Sequence, residues 1–387
     1  MKKIKIPLIV KVLIAIIIGS LIGQYLPEAV VRGTNTFSFI FDQLLGFFIP
    51  LIILGFVTPA IAGLGGEASK MLLATTILAY TFTILSGLFG YAVGTEIFPS
   101  LLSDFNINVA TTDEAKFESY VKIEVQPLCD VMTALVTSFI MGLGIVATKS
   151  STLKKCFDEL GKITEKAINK MVIPFLPVFI CCLMINMSAQ GVLANSVAAF
   201  LKIIVTIFAM SIALLIIQYI VAGLIAKKRP LKSLWNMTQA YLTALGTSSS
   251  AATIPVTLEA TKKNGVRDEI AGFVIPLCAT IHLSGSALKI TACAIAIMII
   301  HNMPFSFPLM FGFIAMLGIV MIAAPGIPGG AIMAALGILE SILGFNDELQ
   351  AVMITFYITM DSFGTACNVT GDGAIALIIN KLSRQKL

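Results

Sequence analysis

The sequence predicts an all-α polytopic membrane protein, with eight transmembrane helices and two re-entrant helical hairpins arranged as inverted repeats. Of its 387 residues, 57% are hydrophobic and only 12% are charged, and the mean hydropathy is +0.96. Those values exclude an ordinary soluble enzyme. Long apolar runs alternate with short basic clusters, and polar residues interrupt the last of these runs. The interruptions indicate functional sites, because a bilayer penalises unpaired polar groups.

Six apolar runs in the first part of the chain are long enough to cross a hydrocarbon layer of about 30 Å. They cover residues 6–25, 37–62, 71–97, 127–147, 171–187 and 197–226. Pro50 and Pro59 predict kinks in the second run. The basic start of the first run is similar to a signal peptide, but its long apolar stretch without a cleavage site favours a retained helix. The polar stretch 98–126 is predicted outside the cell, and the basic linker 148–170 on the cytoplasmic side.

Lys and Arg collect at both ends of the chain and after the fourth and sixth runs, which predicts cytoplasmic N- and C-termini. This orientation requires residues 231–263 to enter and leave the membrane on one side. Two short apolar arms surround a polar tip there, and neither arm can span alone. We therefore predict re-entrant hairpin one at 231–263. Residues 308–345 repeat the pattern from the other side and predict hairpin two, for which an ordinary turn between two helices is the alternative.

The segment 270–300 is predicted to be a broken seventh helix. Polar residues from Thr280 to Ser286 and Lys289 interrupt its apolar run. Irregular backbone at membrane depth is tolerated only against protein or a cavity. Helix eight is predicted over 350–381. The order hairpin, broken helix, hairpin and polar helix is an inverted repeat, and matched discontinuous segments indicate the binding site of a secondary transporter.

Helix eight carries a polar stripe. Asp361, Thr365, Asn368 and Asp372 follow one another at intervals of four, three and four, so they share one helical face. Two carboxylates in a membrane require cations, so this face is predicted to look into substrate, ion or protein. The alternative is that Asp372 only ties neighbouring helices together through hydrogen bonds.

Other function classes fit the sequence less well. A net charge of +5 could indicate nucleic-acid binding, but no basic stripe with interleaved aromatic residues is present. The seven cysteines lack metal-ligand spacing, so neither a disulfide nor a zinc site nor a cofactor is expected. A channel would show a continuous polar ring. His282 and Ser284 would point apart on a helix, which argues against an intramembrane hydrolase and any other enzyme.

Four motifs in order carry a family resemblance over nearly the whole chain. Residues 247–255, TSSSAATIP, resemble a serine-rich hairpin tip, and 276–288, PLCATIHLSGSAL, resemble a broken helix seven. Residues 323–333, AAPGIPGGAIM, resemble a second hairpin tip, and 361–372 resemble a polar helix eight. Together they resemble the motifs of the dicarboxylate/amino acid:cation symporters, the glutamate-transporter homologues. By this resemblance the chain is a divergent bacterial-type member of that family.

The resemblance implies a homotrimer in the cell inner membrane that couples sodium entry to uptake of a small-molecule substrate. A scaffold part would comprise residues 1–70 and 127–196. A transport part, residues 71–98 and 197–387, would slide across the bilayer as an elevator, with hairpin two as its extracellular gate. The glycines of that gate supply flexible backbone whose carbonyls can face a hard cation.

The resemblance also implies residue roles. Asp361 would accept the substrate's amino group and Asn368 would donate to its carboxylate, while Asp372 would help to bind sodium. The tip serines suit a carboxylate through backbone N–H groups, with helix capping as the alternative. The predicted substrate-binding residues are Ser248, Ser249, Ser250, Lys289, Gly326, Asp361, Gly364, Thr365 and Asn368. The predicted sodium ligands, several through backbone oxygens, are Cys278, Thr280, His282, Ala324, Asn368 and Asp372.

The chain departs from the family pattern in its cations. The Arg that reads an acidic side chain is Gly364 here, and the alternative Arg of the hairpin-one tip is Ser248. Without a bidentate donor, a neutral amino acid is the first expectation. Lys289 leaves a second reading open, in which it pairs with Asp361 and serves an acidic amino acid or a C4-dicarboxylate. The alternative for Lys289 is a structural cation that snorkels toward the rim.

The second departure concerns the coupling ion. In the family, an Asp binds one sodium ion together with a Tyr and a Thr. Ser284 replaces that Asp here, while Tyr80 and Thr83 keep the spacing of the Tyr and the Thr. We therefore expect fewer coupled sodium ions. His282 stands for an Asn and could carry a proton instead, since an unperturbed imidazole titrates near 6.5. A neutral His282 that donates to backbone carbonyls is the alternative.

Overall fold

This computed structural model describes residues 8–64, 70–103, 118–121, 123, 125–129, 131–172, 174–189, 193–324 and 329–384, and all the regular secondary structure in these residues is helical. Most of its helices correspond to an apolar run of the sequence. In the first part of the chain the helices are α1 (Leu8–Ile22), α2 (Glu28–Ile52), α3 (Thr58–Leu64), α4 (Lys70–Leu101), α5 (Val131–Thr148), α6 (Ser151–Ala167), α7 (Leu176–Ala189) and α8 (Leu193–Ala226).

The second part of the chain contains shorter helices in pairs. They are α9 (Pro230–Asn236), α10 (Thr238–Thr247), α11 (Ser250–Lys263), α12 (Asp268–Ile281), α13 (Ser284–Ile300), α14 (Phe307–Ala323), α15 (Gly330–Leu343), α16 (Asp347–Thr359) and α17 (Asp361–Arg384). The arms of the predicted hairpin one are α10 and α11, and those of hairpin two are α14 and α15. The predicted interruption of helix seven falls between α12 and α13.

Predicted helix two is divided in the structure. A π turn, Ile53–Val57, follows Pro50 and separates α2 from α3. A proline lacks the N–H that a helix donates to the carbonyl four residues earlier, and for Pro59 that carbonyl belongs to Gly55 of the π turn. Gly55 of this turn lies against Gly161 of α6, since a Cβ placed on Gly55 would stand 2.8 Å from Gly161 Cα. A glycine at the widened turn therefore allows the close crossing.

Predicted helix eight is also divided, which corrects the expectation of one continuous helix over 350–381. α16 ends at Thr359 and α17 begins at Asp361. Met360 between them adopts φ −106° and ψ 8°, and its carbonyl accepts a hydrogen bond from Lys289 Nζ at 3.1 Å. The sequence alone does not reveal this contact between the Met360 carbonyl and a lysine of a distant helix. The polar stripe consequently starts at the first residue of α17 and fills its first three turns.

Four helical stretches in the described part of the chain are long and apolar enough to cross a membrane: Met71–Leu101, Phe200–Ala226, Asp268–Ile300 and Asp361–Ser383. In each of the last two stretches, 94% of the most apolar part is buried inside the protein. In the first two stretches the buried share is 39% and 33%. The broken helix and α17 are therefore the centre of the molecule. α13 packs mainly on α4, α17 packs mainly on α8 and α10, and α1 packs mainly on α7.

Candidate functional site

The break between α12 and α13 is held by Asn368 of α17. Its Oδ1 accepts from the backbone N–H groups of Gly285 at 2.7 Å and Ser286 at 3.3 Å, and its Nδ2 donates to Ser286 Oγ at 3.1 Å. These N–H groups belong to the first turn of α13, where no intrahelical acceptor is available. A Cβ on Gly285 would stand 2.6 Å from the Gly364 carbonyl. The two helices therefore cross in close contact, with Asn368 as the bridge.

Asp361, at the start of α17, joins three parts of the structure. Its Oδ2 accepts from the Gly329 N–H at 2.8 Å, and its Oδ1 lies 3.7 Å from Lys289 Nζ. Gly329 has φ +74°, a left-handed conformation that favours glycine, and it leads into α15 of hairpin two. One carboxylate thus contacts the second hairpin and the broken helix at once.

The Lys289 side chain is 0% exposed, so the alternative in which it snorkels toward the rim is wrong. Its Nζ lies 3.8 Å from the centroid of the Tyr357 ring, over its face, in addition to the Met360 carbonyl and Asp361. A Cβ placed on Gly364 would collide with Cε and Nζ of Lys289. The ammonium therefore occupies the space in which a side chain at position 364 would begin.

Asp372 has a different partner. His282 Nδ1 lies 2.9 Å from Asp372 Oδ1, and both side chains are almost fully buried. A neutral imidazole with its proton on Nδ1 would donate to this carboxylate and leave Nε2 as an acceptor. In the part of the chain that the structure describes, His282 Nε2, the Gln218 amide and Ser284 Oγ have no hydrogen-bond partner. All three side chains lie close to Gly371, which has no side chain of its own to fill the space.

The tip of hairpin one also contacts α17. Ser248 adopts φ 50°, and its Oγ lies 2.8 Å from Ser362 Oγ. Ser249 caps α11 by accepting from the Ala252 N–H at 3.3 Å, as the capping alternative predicts for this residue. Ser250 is buried at the first position of α11. The two hairpin tips thus touch consecutive residues, Asp361 and Ser362.

The remaining predicted residues lie at varied distances from these contacts. The Thr365 hydroxyl donates to the Asp361 carbonyl at 3.0 Å, and the Cys278 carbonyl accepts from the His282 N–H at 2.9 Å. Thr280 is exposed, and its hydroxyl bonds the Leu277 carbonyl. Ala324 is buried where α14 ends. Gly326 lies outside the described residues.

Sequence reasoning missed three residues of this region. Tyr357 and Ser286 are buried, and their hydroxyls lie 2.9 Å apart. Gln218 is a buried amide in the apolar run of α8. A lone amide in such a run was a usable signal, because polar groups in membrane helices seek partners. No comparable signal existed for Tyr357, since aromatic residues are common in membrane helices.

One protein-family model matches a stretch of the chain that includes both hairpins, the broken helix and α17. The model of the sodium:dicarboxylate symporter family matches residues 8–382. The chain belongs to this family. The family resemblance predicted from the four motifs is therefore confirmed. The family consists of membrane symporters, so the expectation of a transporter rather than an enzyme agrees with it.

Two transporters that are similar to the chain differ in how much of their length the similarity covers. Human excitatory amino acid transporter 1 is 30% identical over 255 residues, which are 63% of this chain and 45% of that protein. The chain thus matches only about half the length of that relative. The serine/threonine transporter SstT of Acinetobacter baumannii is 26% identical over 398 residues, 98% of both chains. The similarity to SstT therefore runs from end to end.

Proposed function

We propose that the protein is a secondary active symporter, which couples the entry of a cation, sodium, to uptake of an amino acid across the cytoplasmic membrane. One observation carries this proposal: the two hairpin tips meet the same turn of α17, through Gly329 to Asp361 at 2.8 Å and Ser248 to Ser362 at 2.8 Å. Paired discontinuous elements around a polar helix are typical of secondary transporters. The names of the relatives, an excitatory amino acid transporter and a serine/threonine transporter, support the substrate class.

The proposed roles follow the two carboxylates. Asp361 lies between the hairpin tips and is the proposed receptor of the substrate's amino group. The N–H groups at the start of α11, near Ser249 and Ser250, are proposed to receive a carboxylate. Asp372 is proposed to bind the coupling cation with backbone oxygens of the α12–α13 break, including those of Cys278 and His282. Sodium is thus an ion that the protein transports, not a resident cofactor.

The proposed mechanism is an elevator within a homotrimer, with both termini in the cytoplasm. Residues 1–70 and 127–196 would form the scaffold, and residues 71–98 and 197–387 the moving part. The packing supports this division, because α1 packs on α7 within the first set, while α13 packs on α4 and α17 on α8 within the second. Hairpin two would be the gate on the outer side.

Two substrate classes have specific support. The absence of an Arg at Gly364 and at Ser248 favours a neutral amino acid. The ammonium of Lys289, which fills the space beside Gly364, favours an acidic amino acid or a C4-dicarboxylate. Coupling has a second candidate as well, since the contact of 2.9 Å between His282 and Asp372 suits a carried proton.

The test is uptake by the purified protein in proteoliposomes. The panel comprises L-serine, L-alanine, L-aspartate and succinate, each under an inward sodium gradient and, separately, under a proton gradient. We expect sodium-driven accumulation of an amino acid that an ionophore collapsing the gradient abolishes. Uptake that ignores both gradients would contradict symport and indicate a facilitator. Protein-free liposomes and liposomes without a gradient are the controls.

A further inference from the structure

Both oxygens of Asp361 are engaged by groups of the chain itself. The Gly329 N–H donates to Oδ2 at 2.8 Å, and Lys289 Nζ lies 3.7 Å from Oδ1. Gly329 belongs to hairpin two and Lys289 to α13. The carboxylate that holds the hairpin tip is therefore the same carboxylate that the lysine neutralises.

Lys289 is placed firmly beside this carboxylate. Its ammonium also donates to the Met360 carbonyl at 3.1 Å and lies over the Tyr357 ring. Gly364 makes the position possible, because any Cβ there would collide with the end of the lysine. The side chain is 0% exposed, so water does not screen its charge. Lysine and glycine thus form a matched pair that holds a cation on Asp361.

Closing a gate over a carboxylate requires a cation. Once hairpin two covers Asp361, water no longer solvates the carboxylate, and an unpaired buried charge is strongly unfavourable. The ammonium of an amino acid can supply the compensation when cargo is bound. Lys289 can supply it from within the protein, at the same carboxylate and with the same chemical group.

We propose that Lys289 is a tethered ammonium that substitutes for the cargo's amino group on Asp361, so that hairpin two can close when no cargo is bound. The inference rests on the proposed function, because a symporter must return through the membrane after it releases its cargo. Lys289 is in this view a positioning residue, which acts on hairpin two through Asp361. Cargo with an amino group then exchanges places with the lysine.

The proposal separates two modes of transport. Net uptake requires the return of the carrier without cargo, and therefore the closure that Lys289 permits. Exchange of internal for external substrate never passes through that state, since the carrier is loaded in both directions. Loss of the lysine should consequently slow net uptake and spare exchange.

The first test measures hairpin two directly by hydrogen–deuterium exchange of the full-length protein in nanodiscs, without amino acid and with choline in place of sodium, so that the empty carrier is observed. In Lys289→Met, we expect peptides covering residues 329–343 to exchange about tenfold faster or more than in the wild type. In Lys289→Met/Asp361→Asn the carboxylate is also removed, and protection should return. Lys202→Met is the matched control, because Lys202 lies on α8 and donates to the Leu101 carbonyl at the end of α4. Unchanged protection of α8 shows that the variants are folded.

The second test compares net uptake with exchange in proteoliposomes, for L-serine and L-aspartate. Lys289→Met should lower net uptake at least about tenfold relative to exchange, and Lys202→Met should leave the ratio unchanged. Unchanged hairpin protection in Lys289→Met would overturn the inference, whether transport persists or is lost, because the lysine would then not govern the gate. A wild type without cation-driven uptake would contradict the proposed function instead, while the exchange measurement on hairpin two would still decide the role of Lys289.

Discussion

The two buried carboxylates of α17 differ in the cation that accompanies them. Asp361 faces the ammonium of Lys289 at 3.7 Å and the tip of hairpin two. Asp372 lies on the same helical face but faces the imidazole of His282 at 2.9 Å. A lysine amine is a much stronger base than an imidazole and therefore keeps its proton more readily at neutral pH.

This difference is the basis for proposing separate tasks for the two ends of one polar stripe. At Asp361 the protein supplies both charges, so a cargo ammonium must compete with an internal one. At Asp372 a neutral imidazole leaves the charge of the carboxylate to be balanced by a further cation. The comparison therefore supports the proposal that Asp361 reads the cargo and Asp372 reads the coupling ion. Each prediction below alters one member of one pair.

The largest effect is expected from Asp361→Ala. It leaves the ammonium of Lys289 buried without its carboxylate, and removal of one partner of a buried ion pair costs about 3–5 kcal/mol. We expect a marked loss of stability in thermal unfolding of the purified protein, together with loss of amino acid binding. Lys289→Met in addition should recover most of the stability but none of the binding. Equal stability of the single and double variants would show that the pair is not coupled.

Asp372→Asn should abolish sodium dependence. Truncating a desolvated charge that binds an ion costs about 2–5 kcal/mol, so sodium affinity should fall more than about thirtyfold. The measurement is the sodium concentration that gives half-maximal uptake. Asp268→Asn is the matched control, since that side chain is 81% exposed at the start of α12. Sodium-driven uptake by Asp372→Asn with wild-type affinity would contradict the role of this carboxylate.

Gly364→Arg tests the matched pair of Lys289 and Gly364 by changing its member on α17. The new side chain would begin in the space held by Lys289, and overpacking of a core costs about 1–3 kcal/mol. We expect the single variant to lose uptake. Lys289→Ala/Gly364→Arg removes the collision and should regain uptake with a preference for L-aspartate. Hydrogen bonds to a charged group contribute about 1.5–3 kcal/mol, which is a preference of about tenfold to a hundredfold.

The control for that swap is Lys289→Ala alone, which should show no preference for L-aspartate. A double variant that folds but does not favour L-aspartate would show that position 364 does not face the substrate. A single Gly364→Arg variant with wild-type uptake would contradict the collision itself.

Much of the fold was predictable because membrane helices have strong sequence signals. Runs of apolar residues predicted the long helices, and polar interruptions predicted the break now seen between α12 and α13. The divisions of helices two and eight were not predicted in full. Pro50 indicated a kink but not a π turn, and no signal indicated that the Met360 carbonyl, just after α16, accepts from a lysine of a distant helix. Such contacts between helices do not appear in a periodicity.

The site was predictable in its residue types but not in its pairing. Spacing placed Asp361, Asn368 and Asp372 on one face, where the structure has them. It did not indicate that Asn368 would accept a hydrogen bond from the first turn of α13. It also did not indicate that His282 would contact the Asp372 carboxylate. Pairing depends on the register between helices, and one sequence carries no direct record of it. The roles of these residues remain proposals.

The smallest effect is expected from His282→Asn, which sharpens the comparison at its second pair. The change replaces the imidazole with an amide that can still donate to Asp372, so we expect a loss of only about 1 kcal/mol. If sodium is the coupling ion, sodium-driven uptake should remain within about tenfold of the wild type. Its dependence on pH between about 5 and 8, the range in which imidazoles titrate, should also be unchanged. His301→Asn, the same substitution at the end of α13, is the control. Proton-driven uptake present in the wild type and lost only in His282→Asn would instead make the imidazole the coupling group, and Asp372 the counter-ion of a carried proton.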